Sequence, residues 1–244
     1  NQTKDITVGI GMPGSLHPKT GLVQVSNTKA LEGKDVKTDL EKKLGIDVRI
    51  ANDADCLALS EAVDGSGKDF NSVFAVIMGT GVGAGYVVEK QLIVGPNKLT
   101  GEWGQNPIPG PMDDYEKSVK RHCGRVGAIE VFLSGPGLEN WYEYFTGNKK
   151  NSREIIDLFR EGNSQAVELM DSYFDRSARA FSTFVNILDP DVIVLGGGMS
   201  DIDELYEEIP NRIIPYLASD IFLTPIVKAK HGSSSGVRGA AHLW

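Results

Sequence analysis

An amide and a carboxylate, Asn52 and Asp53, stand side by side where an apolar run gives way to a helical pattern. Residues 48–51 are predominantly apolar and predict a buried strand. From residue 54 onward, a run of alanine, leucine, serine and glutamate predicts a helix that ends near residue 64. At such a strand-to-helix edge of an α/β sheet, a carboxylate can act as general base on a bound substrate. The same two residues suit a helix N-cap, and the pattern alone leaves both roles open.

Two glycine-rich turns follow apolar runs and could present backbone N–H groups to phosphate oxygens. The first, residues 79–83, joins a predicted strand at 74–78 to a returning strand at 84–89. The second, residues 196–198, follows a predicted strand at 192–195 and precedes a helix expected near residue 201. Neither turn matches a Walker A loop or a Rossmann fingerprint, and ordinary tight turns also explain them. The candidate residues are Gly79, Thr80, Gly81, Gly196, Gly197 and Gly198.

Polar side chains that suit hydroxyl groups occur in a loop after the first glycine turn. Residues 101–107 are too short and too rich in glycine to predict regular structure, and they carry Glu102 and Gln105. An exposed polar loop is the alternative interpretation. Gly14 lies in a sharp turn at 12–15, where it could let backbone approach a ligand or could serve only the turn.

The remaining elements must position these residues. Helices are predicted at 35–44, 152–161 and 164–188, and the apolar stripe of the last one indicates core and not a site. A helix after the turn at 123–127 carries Glu130, whereas the proline-rich, charged stretch 109–122 predicts a surface excursion. A late strand at 225–229 and a closing alanine-rich helix complete the pattern.

The composition indicates a globular protein with a sizeable core, because 41% of the 244 residues are hydrophobic and 24% are charged. A net charge of −8 argues against a nucleic-acid surface. No apolar run reaches the roughly 18 residues that a membrane span requires. The two cysteines, Cys56 and Cys123, show no metal or redox spacing, which predicts a cytoplasmic protein.

Six motifs occur in the order seen in the ROK family (repressors, open reading frames, kinases), which the chain resembles over essentially its whole length. They lie at residues 9–14, 51–54, 79–85, 101–104, 127–130 and 188–198. The Gly-Glu-Trp-Gly form of the fourth motif and the tail at 230–241 resemble the bacterial fructokinase (mannofructokinase) branch.

The resemblance implies an α/β, two-domain actin-like ATPase (ribonuclease H-like) fold and ATP-dependent phosphorylation of a hexose. D-fructose, converted to fructose 6-phosphate, is the expected substrate, with N-acetylhexosamine, glucose and mannose as alternatives, since small pocket differences decide among them. Asp53 would be the general base, the two glycine turns would face ATP, and Mg²⁺ would accompany the nucleotide. The residues implied to bind the sugar are Gly14, Asn52, Glu102, Gln105 and Glu130.

The resemblance also implies domain limits and a quaternary state. Residues 1–70 would be the remainder of an N-terminal sugar-kinase domain, and residues 71–230 a C-terminal nucleotide- and sugar-binding domain. Residues 231–244 would form a closing helix that packs back on the first domain. A homodimer is expected, with no nucleic acid and no membrane as partner.

Two departures from the family pattern lead to further expectations. The four positions of the family's zinc site carry Gln105, Arg121, Cys123 and Ala128, so the zinc site is predicted to be lost. The neighbouring His122 does not restore it, and Gln105 would hydrogen-bond the sugar. The family's opening strand and phosphate loop, roughly 60 residues, are also absent from the chain. This predicts a fragment of an active kinase, with a sugar-sensing regulator or a pseudokinase as the alternative.

Overall fold

The computed structural model describes residues 6–24, 28–121 and 124–244. Two compact units divide the chain. The first comprises residues 1–76, 84–101 and 229–244, and the second comprises residues 77–83 and 102–228. The first unit therefore takes in a hairpin segment and the C-terminal tail in addition to the N-terminal residues. The domain limits predicted at residues 70 and 230 stay a prediction.

Strands are concentrated in the first half of the chain, and helices dominate the second half. The strands are β1 (Val8–Met12), β2 (Ser15–Leu16), β3 (Val23–Gln24), β4 (Val48–Asn52), β5 (Ser72–Met78), β6 (Val82–Val88), β7 (Gln91–Leu92), β8 (Val192–Gly196) and β9 (Ile226–Lys228). The α-helices are α1 (Val36–Leu44), α2 (Asp53–Val63), α3 (Asp114–Ser118), α4 (Glu130–Leu133), α5 (Gly135–Thr146), α6 (Ser152–Arg160), α7 (Ser164–Leu188), α8 (Leu205–Ile213) and α9 (Ser235–Ala241).

In the first unit, β1 and β4 run parallel, with Val8 opposite Val48 and Met12 opposite Asn52. Their carboxyl ends therefore lie side by side, and each leads directly into one of the predicted sugar-binding segments. This is the edge of an α/β sheet at which ligands bind. A two-stranded antiparallel pair, β2 with β3, follows β1.

Helix α9 packs against α2 and β1 in the first unit at very short range. A Cβ atom on Gly239 would collide with the Cys56 carbonyl, and one on Gly9 would collide with the Ala240 carbonyl. Glycine is therefore required at both positions because backbone approaches backbone there. This close contact joins the last helix of the chain to the helix that begins at Asp53.

A five-stranded sheet has the strand order β7-β6-β5-β8-β9, and the division into units passes through β5 and β6. Strands β8 and β9 are parallel, with Val194 opposite Val227, and β8 is wholly buried. Burial explains why both β5 and β8 read as continuous apolar runs in the sequence. Each strand ends at one of the two glycine turns.

The long helix α7 forms the centre of the second unit. Its fully buried side chains include Tyr173, Phe174 and Phe181. The helices predicted at 152–161 and 164–188 are confirmed to within one residue, and Asp189 ends the second in a left-handed conformation. None of the helices in the described ranges is long and apolar enough to cross a bilayer.

Several predictions from the sequence pattern are wrong in detail. The stretch 109–122 is not merely a surface excursion, because it contains α3 with Tyr115 and Glu116 buried. Residues 101–107 are not irregular throughout, since Glu102–Gln105 form one 3₁₀ turn. The helix expected near residue 201 is a 3₁₀ turn, Gly198–Asp201, and α8 begins only at Leu205.

Candidate functional site

Asn52 is the last residue of β4 and the N-cap of α2. Its Oδ1 accepts a hydrogen bond from the Ala54 N–H at 2.7 Å, which satisfies one of the free donors at the helix start. Its Nδ2 donates to the Gly14 carbonyl at 3.4 Å. The N-cap interpretation is thus confirmed, and the same side chain also ties the turn after β1 to the end of β4.

Asp53 is the first residue of α2 and its side chain is exposed. Its Oδ1 accepts from the Ala54 N–H at 2.9 Å. Desolvation by the surrounding protein raises the pKa of this carboxyl, and hydrogen bonds from the backbone N–H groups of Ala54 and Asp53 oppose the rise. A carboxylate with a raised pKa that is still reachable suits a general base.

Gly14 follows β1 with a φ of 93°, in the left-handed region that favours glycine. Its carbonyl is the acceptor for Asn52 Nδ2. The first unit therefore brings three of the candidate residues together at the carboxyl ends of β1 and β4, namely Gly14, Asn52 and Asp53.

The first glycine turn links β5 to β6, and its residues interact with the second unit's helices. The Gly79 N–H donates to the Gly81 carbonyl at 2.9 Å, and the Gly79 carbonyl accepts from the Gly135 N–H at 2.9 Å. Thr80 at the tip is exposed. The turn is thus fixed on one side, whereas its tip remains reachable for a ligand.

The second glycine turn lies beside the first. Gly197 has a φ of 81°, and a Cβ atom there would collide with the Met78 carbonyl at the end of β5. Gly198 is exposed with open space around its Cα, and a Cβ on Gly79 would lie 4.0 Å from the Gly198 N–H. Two bare stretches of backbone therefore adjoin at the ends of β5 and β8, and Gly196 is the buried end of β8.

Glu130 begins α4 and lies against the first glycine turn. Its Oε2 accepts from the Val82 N–H at 3.2 Å, and its Oε1 accepts from Arg121 Nε at 2.9 Å. A Cβ atom on Gly81 would be only 2.8 Å from Oε2, so the carboxylate packs where a side chain would otherwise be. The candidate acidic residue and the candidate phosphate turn are in contact.

Glu102 and Gln105 are the two ends of the 3₁₀ turn. The buried Trp103 between them packs edge-on against Phe181 and Phe184, with ring centroids 5.5 and 5.2 Å apart. A Cβ on Gly104 would collide with the Val82 carbonyl, so the turn lies directly on β6. Trp103 and Gly104 thereby hold the two polar side chains in half-buried positions at the surface of the second unit.

The family's zinc-site positions do not fit a metal in this chain. Gln105, Arg121 and Ala128 offer no thiolate or imidazole, and Arg121 is engaged by Glu130. Cys123 and His122, named in the same prediction, lie outside the described residues. Elsewhere in the ranges that the structure describes, no group of three His, Cys, Asp or Glu side chains could hold an ion.

Sequence reasoning does not find the ion pair of Arg121 with the candidate residue Glu130. The family pattern marks Arg121 only as a position that lacks a zinc ligand, and neither its spacing from Glu130 nor any periodicity indicates the pair. The one available signal was the charge itself, a cation at a position where the resemblance leads one to expect a thiolate.

Comparisons with known proteins agree on one family. The model described as ROK family matches residues 1–244. The N-acetyl-D-glucosamine kinase of Vibrio cholerae serotype O1 is 43% identical over 243 residues, which cover 97% of this chain and 80% of that protein. The N-acetyl-D-glucosamine kinase of Vibrio atlanticus is 42% identical over 240 residues, with the same coverage of both proteins.

Solved structures show the same fold. A ROK hexokinase from Thermus thermophilus superposes with a TM-score of 0.85 at 26% identity, covering 97% of this chain and 77% of that one. A ROK family glucokinase from Streptomyces griseus, in complex with glucose and AMPPNP, gives a TM-score of 0.82 at 22% identity, with coverage of 99% and 82%. The predicted α/β fold of the actin-like ATPase class is confirmed.

Proposed function

The chain belongs to the ROK family, and we propose that it is a sugar kinase that transfers the γ-phosphoryl group of ATP to N-acetyl-D-glucosamine. Relatives with 42% and 43% identity carry that activity in their names. They favour an N-acetylhexosamine, which was an alternative in the sequence analysis, over the D-fructose expected there. Neither relative is a fructokinase, so the narrower fructokinase resemblance gains no support.

The observation that carries the reaction class is the position of Asp53. Its exposed carboxylate, with a raised pKa, stands at the start of α2 beside the carboxyl ends of two parallel strands. Phosphoryl transfer needs a residue that orients the attacking hydroxyl and accepts its proton, while most of the remaining catalysis is positioning and charge stabilisation. Asp53 meets that need.

In the proposed reaction, the Asp53 carboxylate accepts the proton of the primary 6-hydroxyl, the least hindered one of the sugar. The sugar oxygen forms a new bond to the γ-phosphorus, and the bond from that phosphorus to the β–γ bridging oxygen breaks. The electron pair of that bond leaves with ADP. The Oδ1 atom of Asn52 already accepts the hydrogen bond of the helix cap, and its Nδ2 donates one hydrogen to the Gly14 carbonyl. The second hydrogen on Nδ2 would donate to a sugar hydroxyl.

The other residues implied to bind sugar or phosphate belong to the second unit. Glu102 and Glu130 would accept hydrogen bonds from sugar hydroxyls, and the Gln105 amide would accept or donate one. Residues 79–81 would present N–H groups to the phosphates. The open space at Gly198 leaves room for a nucleoside against the backbone.

Mg²⁺ would accompany ATP. Nucleotide-bound Mg²⁺ usually keeps several waters and takes phosphate oxygens as ligands, so these groups would hold most of its coordination sphere. When bound, such an ion neutralises negative charge on the transferring phosphate.

The test is steady-state kinetics of Asp53→Asn with ATP and a panel of N-acetylglucosamine, N-acetylmannosamine, glucose, mannose and fructose. We expect the wild type to prefer N-acetylglucosamine. Loss of a general base should lower kcat by about 10²- to 10⁴-fold without changing the fold. Asp39→Asn, which alters an exposed carboxylate in the first turn of α1, is the matched control and should keep wild-type kinetics.

Two results would contradict the proposal. Full activity of Asp53→Asn would remove Asp53 from the mechanism, and preference of the wild type for another sugar would remove the assigned substrate.

A further inference from the structure

We propose that Arg121 is a positioning residue that orients the Glu130 carboxylate toward the acceptor sugar. The inference rests on the proposed function, because it assigns a task within the same sugar site.

The first argument is the geometry around Glu130. The Arg121 guanidinium holds Oε1 at 2.9 Å and the Val82 N–H holds Oε2 at 3.2 Å, so each carboxylate oxygen is fixed by a different element. The Arg121 and Glu130 side chains are 11% and 19% exposed, so solvent screens the attraction between their charges less than it would at the surface. Glu130 therefore cannot rotate freely.

The second argument is the capacity that remains on the carboxylate. An ionised carboxylate offers about four lone-pair sites. The two hydrogen bonds described above leave free lone pairs, and Glu130 retains partial exposure through which a hydroxyl donor could reach it. A carboxylate that is already oriented binds hydroxyl groups with a smaller entropy loss than a mobile one.

The third argument is that the loop has a separate anchor. The buried Glu116 carboxylate accepts from Arg176 Nε at 2.7 Å and also pairs with Arg179, which joins α3 to α7. In the described part of the loop, the Ile108 N–H also donates to the Gly127 carbonyl at 2.8 Å. Because the loop does not depend on Arg121 for its attachment, the ion pair with Glu130 acts locally.

A guanidinium suits this task better than an ammonium group. Its planar donors have a fixed direction, so the hydrogen bond sets the orientation of the carboxylate as well as its charge balance. Lysine at residue 121 would keep the charge and lose that direction. The two substitutions, Arg121→Ala and Arg121→Lys, therefore separate charge from geometry.

The first experiment compares KM and kcat for both substrates. We expect Arg121→Ala to raise KM for N-acetylglucosamine about tenfold, with KM for ATP within about twofold of wild type. Arg121→Lys should recover part of the loss. Arg125→Ala, an exposed arginine of the same loop, is the matched control and should leave both constants unchanged. Equal increases in both KM values, or none in either, would overturn the proposal.

The second experiment is a double-mutant cycle with Glu130→Gln. If Arg121 acts through Glu130, the double variant should be no worse than Glu130→Gln alone in KM for the sugar. Multiplied effects of the two single variants would overturn the proposal. A wild type that phosphorylates no sugar would defeat the proposed function as a whole.

Thermal unfolding of the wild type, Arg121→Ala, Glu130→Gln and the double variant separates a failure of the proposed function from a failure of the ion pair. The loss in Tm of the double variant should be smaller than the summed losses of the single variants. Additive losses would show that the two side chains are uncoupled and would overturn the assignment of Arg121, whatever the activity.

Discussion

The Asp53 edge of the first unit and the loop of the second unit, described at residues 106–121 and 124–129, are held in place in different ways. At the Asp53 edge, Asn52 and Asp53 bond to the backbone of Ala54, one or two residues away. In the loop, Glu116 pairs with Arg176 and Arg179, which are 60 and 63 residues distant. One region is positioned by the start of a helix, and the other by contacts between remote segments.

The difference lies in how each arrangement is stabilised. A helix start positions its cap and first residue through backbone geometry, and the cap contributes about 1 kcal/mol. A buried ion network must offset the desolvation of several charges, so it persists only when every partner is present. The loop is therefore the more fragile of the two regions, and a single substitution should be enough to disorder it.

Glu116→Gln gives the sharpest test and the largest expected effect. Both Glu116 and Arg176 are almost fully buried, and the substitution leaves guanidinium charge without its central partner. We expect a loss of about 3 kcal/mol in the free energy of unfolding, the low end of the range for a broken buried pair, because Arg176 keeps Asp113 at 2.7 Å. Chemical denaturation measures the loss directly.

Asp114→Asn is the matched control for that experiment, because Asp114 lies in the same helix with its side chain 99% exposed. Its effect should stay within about 0.5 kcal/mol. Equal stability of the two variants would mean that the ion network does not anchor α3.

The second glycine turn provides a comparison between two neighbouring glycines. The alanine of Gly197→Ala must adopt a φ of 81°, and its Cβ collides with the Met78 carbonyl, so we expect a loss of about 1–3 kcal/mol in the free energy of unfolding.

The Cβ atom of Gly198→Ala would lie in open space, so this variant should fold like wild type. If the nucleoside lies on this backbone, Gly198→Ala should raise KM for ATP several-fold, as measured by kinetics. An unchanged KM for ATP would place the nucleoside elsewhere.

Much of the Asp53 edge could be predicted from the sequence, because its contacts join residues that are close together in the chain. The change from an apolar run to a helical pattern locates the end of β4, and the residue types at that point give the cap. The two glycine turns follow equally from apolar strands that end in glycine. In each case the chemistry depends on residues that are neighbours in the chain.

The loop could not be predicted in this way. Nothing in the spacing of Glu116 from Arg176 marks them as partners, and a proline-rich charged stretch normally indicates an exposed segment. Tyr115 and Glu116 are nevertheless buried. The Cζ atom of Arg176 lies 3.5 Å from the centre of the Trp141 ring, and the ion pair between Arg176 and Glu116 places the carboxylate in the interior beside it.

A third arrangement, at the end of α2, combines remote partners with exposure and sharpens the comparison. Asp64 pairs with Arg238 of α9 and with His231, whose Nε2 lies 3.0 Å from Oδ1. Hydrogen bonding to Arg238 lowers the pKa of the Asp64 carboxyl, with a smaller contribution from His231, while partial desolvation opposes the shift. The Asp64 side chain is 35% exposed, so solvent screens these charges and the effect on stability should be smaller than that of Glu116.

The sign of the pH dependence follows from the lowered pKa. Stabilisation by Asp64 is complete above the pKa of the unfolded chain, about 3.9, and is lost as pH falls through the lower folded value. Asp64→Asn should therefore have a lower Tm than wild type near pH 5, and the gap should narrow toward about pH 3. Asp69→Asn, an exposed aspartate close by, should show no such gap. A gap that stays constant across this range would mean that the tail is held to α2 by packing and not by the Asp64 charge.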